Sequence, residues 1–149
     1  MLDLIAFDAD DTLWHNEDLY QDARDEFRAL LAPYAPPPDL DDIVHATEMR
    51  NLPTYGFGVS SFTLSLIETA IAVTDGRVTG AEIDRLLAIA RRMIWADIRL
   101  IDEVEDTLAA LSADYPLLLI TKGDLLHQQD KVARSGLGRY FSGVEVVSD

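Results

Sequence analysis

Residues 3–14 read DLIAFDADDTLW. The apolar run Leu4-Ile5-Ala6-Phe7 drives directly into three carboxylates, Asp8, Asp10 and Asp11. A continuous apolar run bounded by polar residues predicts a strand buried on both faces, the signature of a parallel sheet. In open α/β sheets, sites lie at the carboxyl ends of the strands. The acidic residues stand at such an end, so the stretch predicts both the fold class and the place of the chemistry.

Downstream, the pattern first turns helical. Leu19, Ala23, Phe27, Leu30 and Leu31 fall at helical spacing, and Ala35-Pro36-Pro37-Pro38 ends that helix because proline lacks an N–H and crowds the preceding turn. A second helix is predicted over Leu40–Met49. The segment NLPTYGFGVSS, residues 51–61, then reads as a loop broken by Pro53, Gly56 and Gly58. A third helix is predicted from Phe62 to Val73. A fourth opens on the capping box Thr79-Gly80-Ala81-Glu82. Ile101, Val104, Leu108 and Leu111 mark a further helix, PLLLI (116–120) a buried strand ending at Thr121, and residues 123–138 a turn and helix capped at Gly136. GVEVV (143–147) is a third strand. Strand alternating with helix is the α/β pattern. The expected domains are an α/β core, residues 1–14 and 100–149, and an inserted helical cap, residues 15–99.

Composition narrows the function. Twelve basic against 27 acidic residues give a net charge of −15, which disfavours partners such as nucleic acid or anionic membrane. Cysteine is absent, so disulfides, thiolate metal sites and cysteine nucleophiles are excluded. Asp3 follows the initiating residues at once, no basic leader is seen, and no apolar run is long enough to span a membrane; a cytoplasmic protein is expected.

Close carboxylates repel one another and are costly to desolvate together, and a hard cation relieves both problems. Mg²⁺ favours oxygen ligands, usually one or two carboxylates beside a substrate phosphate. Asp8 is then placed to attack phosphorus and form an aspartyl-phosphate, which splits one displacement into two easier steps. Asp10, two residues on, is placed to protonate the leaving oxygen and then to activate water.

At these residues the sequence resembles the haloacid dehalogenase (HAD) superfamily. Asp8-Ala9-Asp10-Asp11-Thr12 matches its first motif, D-x-D-x-T, and LLLITKGD (117–124) resembles its second, a hydrophobic strand ending in Ser or Thr. The helical insertion is similar to the superfamily's cap. The resemblance implies Asp8 as nucleophile and Mg²⁺ ligand. It implies Asp10 as general acid/base with its main-chain carbonyl on the metal, Thr121 as a phosphoryl-binding group, and Thr12 as a support for the loop. Dehalogenases of the family lack the second acid, so Asp10 favours a phosphatase acting on a small phosphorylated metabolite. Asp11 occupies a position often filled by glycine and is read as a loop feature.

Other residues carry weaker readings. Arg50, Tyr55 and Phe57 could form a substrate-selecting lid surface or an interhelical loop packed on itself. Trp14 is read as a packed hinge residue, and His15 as a solvated linker residue. His45, His127, Arg91 and Arg92 are read as surface groups. Lys122 and Lys131 are also assigned to the surface, with Lys122 the first candidate to lend positive charge to the site.

The resemblance implies two more motifs, a lysine after the third core strand and acids after a fourth. Only Ser148 and Asp149 follow GVEVV here. Residues 1–149 are therefore expected to show impaired activity and weak Mg²⁺ binding, with Leu4–Phe7 as an unpaired edge open to self-association. The alternative is a non-catalytic fragment that pairs this edge with another chain. A phospho-acceptor receiver domain also gathers carboxylates after a first strand, but the long helical insertion and Thr121 argue against it.

Overall fold

The computed structural model describes residues 3–147. The described residues divide into two compact units: residues up to Glu17 with those from Asp97 onward, and Asp18–Ala96. The first is an α/β unit and the second is entirely helical. No helix among the described residues is long and apolar enough to cross a membrane.

The α/β unit holds three parallel strands, β1 (Ile5–Phe7), β2 (Leu117–Lys122) and β3 (Gly143–Val147), in the order β1-β2-β3. Phe7 pairs with Leu119, and Thr121 with Val146. The loop that leaves β1 therefore departs near the level where β2 reaches Thr121. Two helices of this unit, α5 (Val104–Ser112) and α6 (Leu125–Ser135), flank β2 in sequence. Along β2 the period of two is plain: Leu117, Leu119 and Thr121 are buried, while Ile120 and Lys122 are exposed. Leu117 and Leu119 join Ala9, Leu13, Trp14, Leu108, Val132 and Leu137 in one apolar cluster. α6 ends as expected on Gly136 at φ 72, a left-handed position that suits glycine.

One expectation about the deciding strand fails. β1 is not buried on both faces: Ala6 is exposed, Ile5 and Phe7 are half-buried, and Leu4 just before the strand is 47% exposed. The cause is its place in the sheet. β1 lies at one end of the strand order and is covered by β2 on one side.

The helical unit comprises α1 (Glu17–Leu31, its first residue counted with the other unit), α2 (Leu40–Tyr55), α3 (Val59–Val73) and α4 (Gly80–Trp95). Ala23, Phe27, Leu30 and Leu31 of α1 meet Val44, Phe62, Leu66, Leu86, Ile89 and Met93 in a second apolar cluster. Between α2 and α3, buried Asn51 donates from Nδ2 to Ser65 Oγ at 3.1 Å. The capping box at α4 is formed as read: the Glu82 N–H donates to Thr79 Oγ1 at 3.3 Å, and the Thr79 N–H donates to Glu82 Oε2 at 2.7 Å.

α2 runs longer than expected. Residues 51–55 are helical, not loop, and Pro53 sits inside the helix. Proline removes one backbone donor, a modest loss in a last turn that Gly56 closes, at φ 69, with its N–H on the Leu52 carbonyl. The true break is residues 56–58, and α3 begins at Val59 rather than Phe62.

Candidate active site

The acidic loop is folded by its own backbone. The amides of Thr12 and Leu13 both donate to the Ala9 carbonyl, at 3.1 and 2.8 Å, and the Asp11 amide donates to the Trp14 carbonyl at 2.8 Å. This tight turn puts Asp11 at φ 60, a left-handed conformation that glycine adopts freely and that aspartate tolerates better than most residues. The Asp11 carboxylate accepts from the amides of Asn16 (2.9 Å) and Glu17 (3.1 Å), which ties the loop to the start of α1. Asp11 is thus a loop feature, as read. Leu13 and Trp14 turn into the core, each 1% exposed, so Trp14 is the packed residue that the sequence suggested.

The same turn spreads the two functional carboxylates apart in environment. Asp8 is exposed, and Thr12 Oγ1 donates to its Oδ2 at 3.3 Å. Asp10 is half-buried and heavily engaged. Its Oδ1 accepts from Trp14 Nε1 at 2.7 Å and from Lys131 Nζ, and its Oδ2 accepts from Gln128 Nε2 at 2.9 Å. Asp8, Asp10, Thr121 and Lys122 line one cavity of about 410 Å³, together with apolar Phe7, Ile120 and Val147. Thr121 is 1% exposed, and its Oγ1 has no hydrogen-bond partner among the described residues. A buried hydroxyl without a partner is costly and marks a place where a further hydrogen-bonding group belongs.

Two surface assignments are overturned. Lys131 is 4% exposed and paired with Asp10, and His127 is 8% exposed. Burial holds the His127 imidazole below its ordinary pKa; the nearby Lys131 charge adds to this, and Asp10, Asp124 and Asp130 oppose it. The reason lies in the phase of α6. Val132 and the following Leu137 face the core, and stepping back along the helix from Val132 brings Gln128, Lys131 and His127 inward. The apolar pair Leu125 and Leu126, which a hydropathy reading would bury, is instead 59% and 81% exposed. The inward stripe of this helix is polar, so apolar periodicity could not find it; counting back from Val132 would have.

His15 and His45 are exposed as read, and so are Arg91 and Arg92, with Arg92 paired to Glu26 at 2.5 Å. Arg50, Tyr55 and Phe57 belong to the helical unit. Arg50 lies in α2 and pairs with Glu68 at 3.3 Å, Tyr55 is the exposed last residue of that helix, and half-buried Phe57 lies in the break beyond it.

The oxygen-rich, cysteine-free site suits a hard cation. The exposed Asp8 carboxylate is the side chain placed to take one, since the Asp10 carboxylate is occupied by three donors. Among the described residues no group of three or more His, Asp or Glu side chains gathers as a metal cage. Mg²⁺ usually binds through one or two carboxylates and completes its shell with water and phosphate.

An α/β unit with an Asp-x-Asp turn after its first strand and a buried threonine next to the end of the second is the arrangement that the resemblance to the HAD superfamily implied. The family comparison agrees: a family model for haloacid dehalogenase-like hydrolases matches residues 2–149, and the chain belongs to that family. No match is found among curated proteins. Among solved structures, a haloacid dehalogenase-like family hydrolase from Xanthomonas campestris is 42% identical, with a TM-score of 0.92 over 99% of this chain and 62% of its own length. The HAD-hydrolase YfnB from Bacillus subtilis, solved bound to magnesium, shares the fold at 19% identity and a TM-score of 0.60, over 97% of this chain and 64% of that one. A 2-haloacid dehalogenase from Pseudomonas syringae shares it at 24% identity and 0.58, over 98% and 64%. The chain spans about three-fifths of the length of the structures it matches.

Proposed function

We propose that the protein is a Mg²⁺-dependent phosphatase of the cytoplasm that acts on a small phosphorylated metabolite. The observation that carries this reading is the pairing of an exposed Asp8 with an anchored Asp10 beside the unpartnered hydroxyl of Thr121 around one cavity. A halide leaves without a proton, whereas the alcohol of a phosphate ester must be protonated as it departs, which is the task of a second acid.

In the reaction, an Asp8 oxygen attacks phosphorus and the P–O bond to the substrate breaks. Asp10 gives a proton to the departing oxygen, releasing the alcohol. Water then attacks the aspartyl-phosphate, Asp10 takes its proton, and the bond between phosphorus and Asp8 breaks to release phosphate. Thr121 Oγ1 would donate to a phosphoryl oxygen, Lys122 would add positive charge at the cavity, and Thr12 would hold Asp8 in its rotamer. Mg²⁺ would be held by the Asp8 carboxylate and the Asp10 main-chain carbonyl, and supplies neutralisation of the phosphoryl charge. The helical unit, in the role of a cap, would contribute substrate selection through Arg50, Tyr55 and Phe57.

The test is a pair of assays on one preparation: phosphate release from an aryl phosphate with Mg²⁺ or with EDTA, and halide release from a 2-haloacid. Weak Mg²⁺-dependent phosphate release without halide release is expected, in keeping with the impaired activity expected of residues 1–149. Halide release alone would replace the reading with a dehalogenase.

A further inference from the structure

We infer that Trp14, Gln128 and Lys131 are positioning residues that commit the two oxygens of Asp10 to different tasks, Oδ1 to the protein and Oδ2 to the proton of the reaction. This rests on the acid/base reading of Asp10 given above. A carboxylate offers about four acceptor directions, two on each oxygen. Oδ1 fills both of its own, with the Trp14 indole N–H at 2.7 Å and the Lys131 ammonium. Oδ2 takes one donor, Gln128 Nε2 at 2.9 Å, and keeps one direction for a substrate or water.

The three donors are themselves fixed. The Gln128 amide nitrogen also donates to the Lys122 carbonyl at 2.7 Å, so the end of β2 sets its orientation. A flipped amide would turn Oε1 against two acceptors and lose both bonds. Trp14 is locked in the core. Lys131 is buried with Asn16 Oδ1 at 3.3 Å as its other acceptor, and its Nζ lies 5.8 Å from the centre of the Trp14 ring. A buried ammonium needs a counter-charge, and losing either partner strands the other. Each member therefore holds the next in place.

Lys131 acts through Asp10 and not on phosphate. The cavity is lined by Lys122 and not by Lys131. A lysine that bound the phosphoryl group equally in ground and transition states would show in KM; one that aims the acid/base shows in kcat.

The native chain carries its own reporter. Of the two tryptophans, Trp95 is 69% exposed at the end of α4, and Trp95→Phe leaves Trp14 as the sole indole. In that background the Trp14 Nε1–H resonance should lie downfield and exchange slowly. Lys131→Met should move it upfield and quicken its exchange about tenfold, as a local opening becomes easier. The same substitution should lower kcat on an aryl phosphate about 10²-fold, at the lower end of acid–base contributions, with KM little changed. Lys131→Arg, which keeps the charge, should recover part of both signals. Gln128→Leu should lower kcat while leaving the indole resonance nearly in place, because of the two Asp10 oxygens Gln128 touches only Oδ2.

An unchanged indole signal in folded Lys131→Met overturns the inference, as does a raised KM at unchanged kcat. Loss of the fold in both Lys131→Met and Gln128→Leu would assign the residues to the core and overturn it too. Absence of turnover in the unsubstituted chain, with the indole signature intact, has a separate meaning: the phosphatase reading falls and takes the role of Oδ2 with it, while the anchoring of Oδ1 stands.

Discussion

The two units solve the burial problem differently. In the helical unit, apolar residues at helical spacing close on one another, and Phe27, Leu31, Leu66 and Leu86 reach 1% exposure or less. Both units also leave apolar side chains open: Ile71 of the helical unit is 48% exposed, and in the α/β unit Leu4, just before β1, is 47% exposed, Ile120 40% and Val144 36%. The polar groups each unit buries differ in kind: the helical unit buries small neutral side chains, Thr47, Ser61, Ser65 and Thr69 among them, whereas α6 of the α/β unit turns Gln128, Lys131 and His127 inward. In the helical unit buried polar groups meet one another, as Asn51 meets Ser65. The α/β unit uses part of its core to hold a carboxylate.

That contrast is broken most directly at Asp8. Asp8→Asn keeps the shape and removes the nucleophile, so turnover should fall about 10³-fold or more, as for other covalent nucleophiles. The melting temperature should stay level, because Asp8 is exposed. Undiminished phosphate release would remove Asp8 from the chemistry. The converse change lies in the helical unit: Phe27→Ala should cost about 3–5 kcal/mol in denaturant unfolding, the usual range for a buried ring. A cost near that of a surface change would mean that the unit relaxes around the hole and is not tightly closed.

The open strand makes a softer prediction. An apolar edge with free backbone groups pairs readily with another copy, and a charge placed there blocks the approach. The protein should self-associate in sedimentation, and Leu4→Lys should weaken that association about tenfold, equivalent to ~1.4 kcal/mol. If association is unaffected, β1 is not the contact. Smaller still is the cap of α4. Thr79→Ala removes the acceptor for the Glu82 amide and should cost about 1 kcal/mol.

How far the sequence could be read follows from the same contrast. Local signals were legible: the capping box at Thr79, Gly136 as a left-handed stop, and the alternation of strand and helix. Asp8, Asp10 and Thr121 were legible because a strand end fixes where its next residues go, and the structure brings them to one cavity. What could not be read depended on neighbours far along the chain. The run Leu4–Phe7 by itself predicts burial on both faces; its place at one end of the described strand order, expected on other grounds, is not encoded in the run. The burial of Lys131 depends on a partner 121 residues away, and a single lysine carries no sign of it. Pro53 shows the limit of local rules: it breaks a helix interior but is accommodated in the last turn of α2.

The smallest expected effect sits at the polar end of the comparison, on His127. Its folded pKa lies below the ordinary value of about 6.5, first because burial disfavours the imidazolium and second because Lys131 stands near; Asp10, Asp124 and Asp130 offset part of this. The unfolded chain therefore binds the proton at a higher pH than the folded one. Between the two pKa values the unfolded state holds more protons, so stability declines as pH falls through about 6.5 and levels off below the folded value. His15 and His45 are exposed, so His127→Gln isolates the buried group. Thermal unfolding of both proteins at neutral pH and then in steps below about 6.5 should show a stability loss in the native chain that the variant lacks in that window. Identical profiles would mean that the proton enters without opening the structure and that His127 is better solvated than its place beside Lys131 suggests.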